Sequence, residues 1–187
     1  VNYPIPFIYL KATGGSSIRN PYYAADYRQA RQHGLRTGSY HFFSTTSPAQ
    51  AQARHFIRYA RLTKGDLPPV LDVEPSPQQI RRMGGPAELW QRVGTWLRIV
   101  ERHTGTAPVL YISEMFVNRD RPYAPDSKRH YPVWIARYGE YKPDVRLAYW
   151  QLCPDGHVAG IKGEVDINVF NGYQAEFKKF VSQNCIK

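Results

Sequence analysis

The sequence predicts an α/β domain built around a mostly parallel sheet. Three observations predict it. Strand-like apolar runs alternate with helix-like segments from Phe7 to Ile112, and such alternation calls for parallel strands joined by crossover helices, with a barrel as one way to close them. Beyond Ile112, strand-like segments follow one another with only short connections, so the last strands are expected to complete the sheet without helices. The 187 residues show no internal repeat, low-complexity tract or linker, so residues 1–187 are expected to form one domain.

The elements follow in order. Phe-Ile-Tyr-Leu-Lys-Ala-Thr over 7–13 reads as a buried strand, and Gly14-Gly15-Ser16-Ser17 as the loop that ends it. Asn20-Pro21 is a cap-plus-proline start for a helix over 22–33, stopped by Gly34. A strand over 36–43 precedes Ser47-Pro48, which repeats the device for a helix to about Arg61 carrying Ala53, Phe56, Ile57 and Ala60 on its apolar face. The next strand, Val70 to Glu74, is closed off by Pro75-Ser76-Pro77. A long helix from about Pro86 to His103 ends at Gly105, ahead of a strand over 108–112. Segments 131–137, 148–152 and 165–169 are strand-like, and a final helix over 173–183 is expected to be capped by Asn171.

The stretch Leu71-Asp72-Val73-Glu74 carries the chemistry. Strand side chains alternate with period two, so Asp72 and Glu74 point the same way with Cα atoms about 6.5–7 Å apart. Like charges at that range raise at least one pKa and keep a proton available at neutral pH, which is the equipment of a glycosidase. The chain also has 14 Tyr and 4 Trp, flat polar-edged surfaces that stack on sugar rings or nucleobases.

The formal charge of +10 favours anionic partners: nucleic acid, acidic membranes or cell-wall polymers. The basic residues are spread along helical segments, as with Arg54, Arg58 and Arg61, and form no block of the kind that marks a polyanion-binding tail. No RNP-like aromatic motif, GXXG loop or zinc finger supports nucleic-acid binding. Serine hydrolase, nucleotide-binding and zinc-protease signatures are missing too. No apolar run reaches the roughly 18 residues of a membrane span. Cys153 and Cys185 are the only cysteines and lie in no metal-ligand pattern, so neither a metal nor a cofactor is expected. They either pair, closing a loop with a stabilisation of about 3–4 kcal/mol, or stay free.

Seven ordered motifs then narrow the reading: Phe7-Ile8-Tyr9-Leu10-Lys11-Ala12-Thr13, Gly38-Ser39-Tyr40-His41-Phe42, Pro69-Val70-Leu71-Asp72-Val73-Glu74, Leu110-Tyr111-Ile112-Ser113, Val133-Trp134-Ile135-Ala136, Tyr149-Trp150-Gln151 and Glu164-Val165-Asp166-Ile167-Asn168. Their order and spacing resemble the glycoside hydrolase family 25 lysozymes, N-acetylmuramidases, over nearly the whole chain. The resemblance implies a flattened, irregular TIM-like barrel, (βα)5 followed by short strands. It implies a peptidoglycan hydrolase that cuts the β-1,4 bond between N-acetylmuramic acid and N-acetylglucosamine, exported or secreted, with bacterial peptidoglycan as its partner.

Carried over residue by residue, the resemblance makes Glu74 the general acid, with a pKa raised by aromatic burial and by Asp72. It makes Asp72 the partner carboxylate that stabilises positive charge or orients the substrate's 2-acetamido group. Asp166 matches a third acidic site residue. Tyr40, Tyr111, Trp134 and Trp150 match groove aromatics, Gln151 is a hydroxyl-binding candidate, and Tyr138 a weaker one. His41, alternating away from Tyr40, is expected to be a packed strand histidine.

Two departures from the family pattern stand out. An Asp-bearing opening strand is expected upstream of Lys11-Ala12-Thr13, yet no Asp occurs before Asp26 and the chain opens Val1-Asn2-Tyr3-Pro4 without an initiator Met. The chain is therefore expected to lack the opening strand, to leave an open seam, and to be a processed product or part of a longer protein. Gly14 stands where the family usually has Glu. These departures favour the alternative, a glycan-binding module of the same fold impaired in catalysis.

Overall fold

A computed structural model describes residues 5–113, 130–136 and 147–187. Its strands are β1 (Phe7–Gly14), β2 (Ile18–Arg19), β3 (Arg36–Phe42), β4 (Val70–Val73), β5 (Val109–Ser113), β6 (Val133–Ala136), β7 (Leu147–Gly156) and β8 (Val165–Phe170). The helices are α1 (Tyr23–Gln32), α2 (Ala49–Tyr59), α3 (Pro77–Met83), α4 (Pro86–Thr104) and α5 (Gln174–Asn184). The strands form a single curled sheet in the order β2-β1-β3-β4-β5-β6-β7-β8. β1, β3, β4, β5, β6 and β7 pair in parallel, and β2 and β8 pair antiparallel at the two ends. This is the mixed α/β architecture the alternation implies.

Period-two alternation separates two cores. On the convex face Leu71, Val73, Leu110, Ile112, Val133 and Ile135 pack under Phe56, Trp90, Trp96 and Leu97 of α2 and α4. The concave face is aromatic: Trp134 and Tyr149 form its buried centre, with Phe7, Tyr9, Tyr40, Tyr111 and Phe170 around them. Tyr9 reaches this centre because Gly38 has no side chain, since a Cβ there would lie 2.2 Å from the Tyr9 ring. The helix stops are as read, with Gly34 at φ 75° after α1 and Gly105 at φ 67° after α4, both left-handed.

Several local expectations change; neither Asn20 nor Ser47 is the N-cap of its helix, the caps being Tyr22 and Pro48. A short helix, α3, starts where Pro75-Ser76-Pro77 read only as a strand end. The Ser76 hydroxyl accepts from Gln79 N–H at 3.3 Å and Gln79 Oε1 accepts from Ser76 N–H at 2.7 Å, a capping box. Gly14 belongs to β1 and pairs with Ile18, so the expected loop is a tight return into β2. Asn171 does not cap α5. Its Nδ2 donates to Leu147 O at 3.2 Å, and Glu176 accepts from Tyr173 N–H at 2.6 Å at the helix start instead.

Among the described residues the sheet is open, because β8 pairs only with β7 and the outer edge of β1 pairs only at Thr13 and Gly14. Side chains bridge the seam: Phe7 lies 5.4 Å from Tyr149 and 5.5 Å from Phe177, centroid to centroid. Asn20 satisfies two carbonyls of β1, its Nδ2 donating to Lys11 O at 2.9 Å and its N–H to Ala12 O at 3.0 Å.

Candidate active site

The strand register sets one transverse row of side chains on the concave face. Gly14 pairs with Phe42, Phe42 with Asp72, Asp72 with Tyr111, Tyr111 with Trp134 and Trp134 with Tyr149. Residues in register share a face, so Asp72 sits in mid-row with Phe42 on one side and Tyr111 on the other. One turn of the pleat further along, Ser113 pairs with Ala136, Ala136 with Gln151 and Gln151 with Asn168.

Asp72 is half-buried and Glu74 is exposed. Burial, then the neighbouring Glu74, pushes the Asp72 carboxyl up to about 8; Lys11 opposes the shift and Asp166 adds to it. The buried oxygen Oδ1 of Asp72 has no hydrogen-bond partner among the described residues. The burial expected at Glu74 is found at Asp72 instead. Asp166 on β8 is exposed, and its carboxyl is also raised by desolvation, with a hydrogen bond from Gln151 pulling it back.

Tyr40 and Tyr111 feel all three acids. Burial first, then Asp72, Asp166 and Glu74, raises the Tyr40 hydroxyl; for Tyr111 the order is burial, Glu74, Asp72 and Asp166. Both phenols stay protonated and available as donors. The Tyr111 hydroxyl donates to Gln151 Oε1 at 2.7 Å, which leaves the Gln151 amide free to serve Asp166. Trp134 is buried and its Nε1 donates to Asn168 Oδ1 at 3.0 Å, while Asn168 Nδ2 donates to Asp166 O at 3.1 Å. Asp72, Glu74, Asp166, Tyr40, Tyr111, Trp134 and Gln151 are thus brought together.

Trp150 is not brought to them. It alternates away from Tyr149 and Gln151, and its Nε1 donates to Asn171 Oδ1 at 3.2 Å on the other face of β7. Tyr138 lies outside the described residues. His41 is a packed strand histidine, fully buried, stacked on Trp96 and bonded to Thr13 and Gln52. Sequence reasoning assigned no role to Lys11, Phe42 or Asn168. The alternation that selects Tyr40 also selects Phe42, two residues on. Among the described residues no group of His, Cys, Asp and Glu is placed to hold a metal ion, and Cys153 and Cys185 are both free.

Comparison with known proteins places this geometry. A family model described as glycosyl hydrolases family 25 matches residues 1–161. The chain belongs to glycosyl hydrolase family 25. It is 37% identical over 180 residues to the uncharacterized protein YegX of Escherichia coli, covering 95% of this chain and 63% of that protein. It is 29% identical over 182 residues to lysozyme M1 of Streptomyces globisporus, covering 90% of this chain and 61% of that one. The chain thus spans less than two thirds of the length of these relatives. Among solved structures, a family 25 glycosyl hydrolase from Bacillus anthracis superposes with a TM-score of 0.80 at 27% identity, covering 93% of this chain and 82% of the other. A bacterial lysozyme from Streptomyces coelicolor superposes with a TM-score of 0.81 at 26% identity, covering 95% and 86%. No helix among the described residues is long and apolar enough to cross a membrane.

Proposed function

We propose that this chain is a peptidoglycan hydrolase, an N-acetylmuramidase acting outside the cytoplasm on the β-1,4 bond between N-acetylmuramic acid and N-acetylglucosamine. The observation that carries the reading is the electrostatic unit of Asp72, Glu74 and Asp166 under Tyr40 and Tyr111 on one face of the sheet. Family membership and likeness to lysozymes support it.

In the ligand-free protein Asp72, its carboxyl pushed up to about 8, holds a proton at neutral pH. A sugar laid over the exposed Glu74 removes it from water, which raises its affinity for that proton. Glu74 then acts as general acid, protonating the glycosidic oxygen as the bond to the anomeric carbon breaks. Asp72, left charged, stabilises the positive charge that develops or orients the substrate's 2-acetamido group. Tyr111, Gln151 and Asp166 hold the rim of the groove on the β7 and β8 side.

The test is digestion of purified peptidoglycan by the wild-type chain and by Glu74→Gln, with mass spectrometry of the new reducing ends. Reducing muramic acid from the wild type, and a rate about 100- to 10,000-fold lower for the variant, is the expected result. Reducing N-acetylglucosamine ends would overturn the bond assignment. Binding with no new ends from the wild type would favour the glycan-binding module.

A further inference from the structure

The two sides of the acid pair differ in charge. On the β7 and β8 side the described groups are neutral donors and another acid: Tyr111, Gln151, Trp134, Asn168 and Asp166. The β1 and β3 side holds a cation. Lys11 pairs in register with Tyr40 and so shares the concave face with it. Its Nζ lies 4.6 Å from the centroid of the Phe42 ring, and its charge is felt at Asp72. Among the described residues no carboxylate lies within ion-pair distance of this ammonium.

The ground beside Lys11 is apolar and level. A bulge between Lys11 and Thr13 turns Thr13 toward the helices, where it bonds His41, and brings Gly14 back beside Phe42. A Cβ at Gly14 would lie 3.5 Å from the Phe42 Cβ and 3.8 Å from the Ile18 Cβ, so no side chain stands between these two residues. Both are open to solvent, Phe42 at 37% and Ile18 at 63%. A half-buried ammonium beside an exposed ring and an aliphatic ledge suits a ligand group that combines one carboxylate with a small apolar branch.

We propose that Lys11, Phe42, Gly14 and Ile18 form the subsite that reads the 3-O-lactyl group of N-acetylmuramic acid, with the carboxylate on Lys11 and the methyl on the Phe42 and Ile18 ledge. This rests on the peptidoglycan reading of the same site and deepens it. The negative charge left on the acid cluster would repel an anionic sugar from most of the groove. Among the described residues only the Lys11 side offsets that repulsion, so the subsite sets which sugar lies on which side of Glu74: the acidic one toward β1, the neutral one toward β8.

The experiment is NMR titration of the wild-type chain, Lys11→Gln, Lys11→Arg and Gly14→Glu with the methyl glycosides of N-acetylmuramic acid and N-acetylglucosamine. The wild type is expected to prefer the muramic sugar by about 10- to 100-fold, the scale of one charge-assisted hydrogen bond. Lys11→Gln should bring that ratio toward one, Lys11→Arg should keep most of it, and Gly14→Glu should reduce it by placing a carboxylate on the ledge. A wild type that binds both sugars equally overturns the proposal. So does a Lys11→Gln chain that loses affinity for both sugars equally, the behaviour expected if Lys11 acts only through Asp72. Binding needs no turnover, so the two readings fail separately: preference without peptidoglycan cleavage removes the hydrolase, and cleavage without preference removes the subsite.

Discussion

Thr13 and His41 are joined by a 2.7 Å hydrogen bond between Oγ1 and Nδ1 that ties the end of β1 to β3 beneath the concave face. The proton positions follow from the partners. Gln52 Nε2 donates to Ser44 O at 2.8 Å and Ser47 O at 2.9 Å, so Gln52 Oε1 faces His41 and must accept from its Nε2–H at 3.2 Å. Nδ1 is then the acceptor and Thr13 the donor, which fixes a neutral imidazole. Burial drives the His41 pKa from 6.5 down to about 4, with the Gln52 bond opposing. Since the unfolded chain binds this proton more tightly, the stability His41 contributes is present above about 6.5 and is lost as pH falls from there toward 4.

His41→Asn is accordingly expected to destabilise the fold by about 2–4 kcal/mol at pH 7. Its deficit against the wild type should shrink by up to about 3 kcal/mol at pH 4, because the variant has no buried imidazole to charge. Urea unfolding of both proteins at the two pH values measures the difference. A deficit independent of pH would show that the buried ring is not held neutral.

Asp72 works in the opposite sense. Its folded pKa of about 8 lies above the ordinary 3.8, so the stability it contributes is complete below 3.8 and is lost as pH rises through 8. Asp72→Asn removes the buried charge. The variant should gain about 1–2 kcal/mol over the wild type near pH 8, little near pH 4, and lose most of its activity. Thermal unfolding across this range, paired with peptidoglycan turnover, checks both halves.

On the proposed mechanism the same group sets the alkaline limb of the reaction. Above about 8 Asp72 of the free protein loses the proton that, on the proposed mechanism, Glu74 delivers. The pH profile of kcat/KM is therefore expected to fall through a pKa near 8, and that limb should move by at least about half a pH unit in Asp72→Asn. An alkaline limb at the same pH in both proteins would assign the proton elsewhere.

Much of this was legible in the chain. Period-two alternation places Asp72 beside Glu74 and turns His41 away from Tyr40, and the structure follows both. Alternation also separates Trp150 from Gln151, but the resemblance grouped them, and geometry sides with alternation. Two features depend on relations that local pattern does not carry. The burial that distinguishes Asp72 from Glu74 comes from the rings of neighbouring strands, and the level ground at Gly14 comes from a bulge and a return strand set by cross-strand register. The short helix α3 could have been found, since Ser76 and Gln79 have capping-box spacing.

Trp134 and Trp150 give the sharpest separation between motif and geometry. Trp134 is buried in the aromatic centre, edge-on to Tyr111 at 5.6 Å, and its indole fixes Asn168. Trp150 faces the other side of β7 and fixes Asn171. Trp134→Phe keeps a ring but drops the Nε1 donor, leaving Asn168 and the Asp166 loop end without their anchor; kcat/KM on peptidoglycan is expected to fall about 10-fold. Trp150→Phe makes the equivalent change away from the acids and should alter kcat/KM by no more than about twofold while lowering stability by about 1 kcal/mol. Steady-state kinetics and urea unfolding of both variants decide the matter: a larger kinetic loss from Trp150→Phe than from Trp134→Phe would place the sugar-binding surface on the opposite face of β7 from the one the carboxylates share.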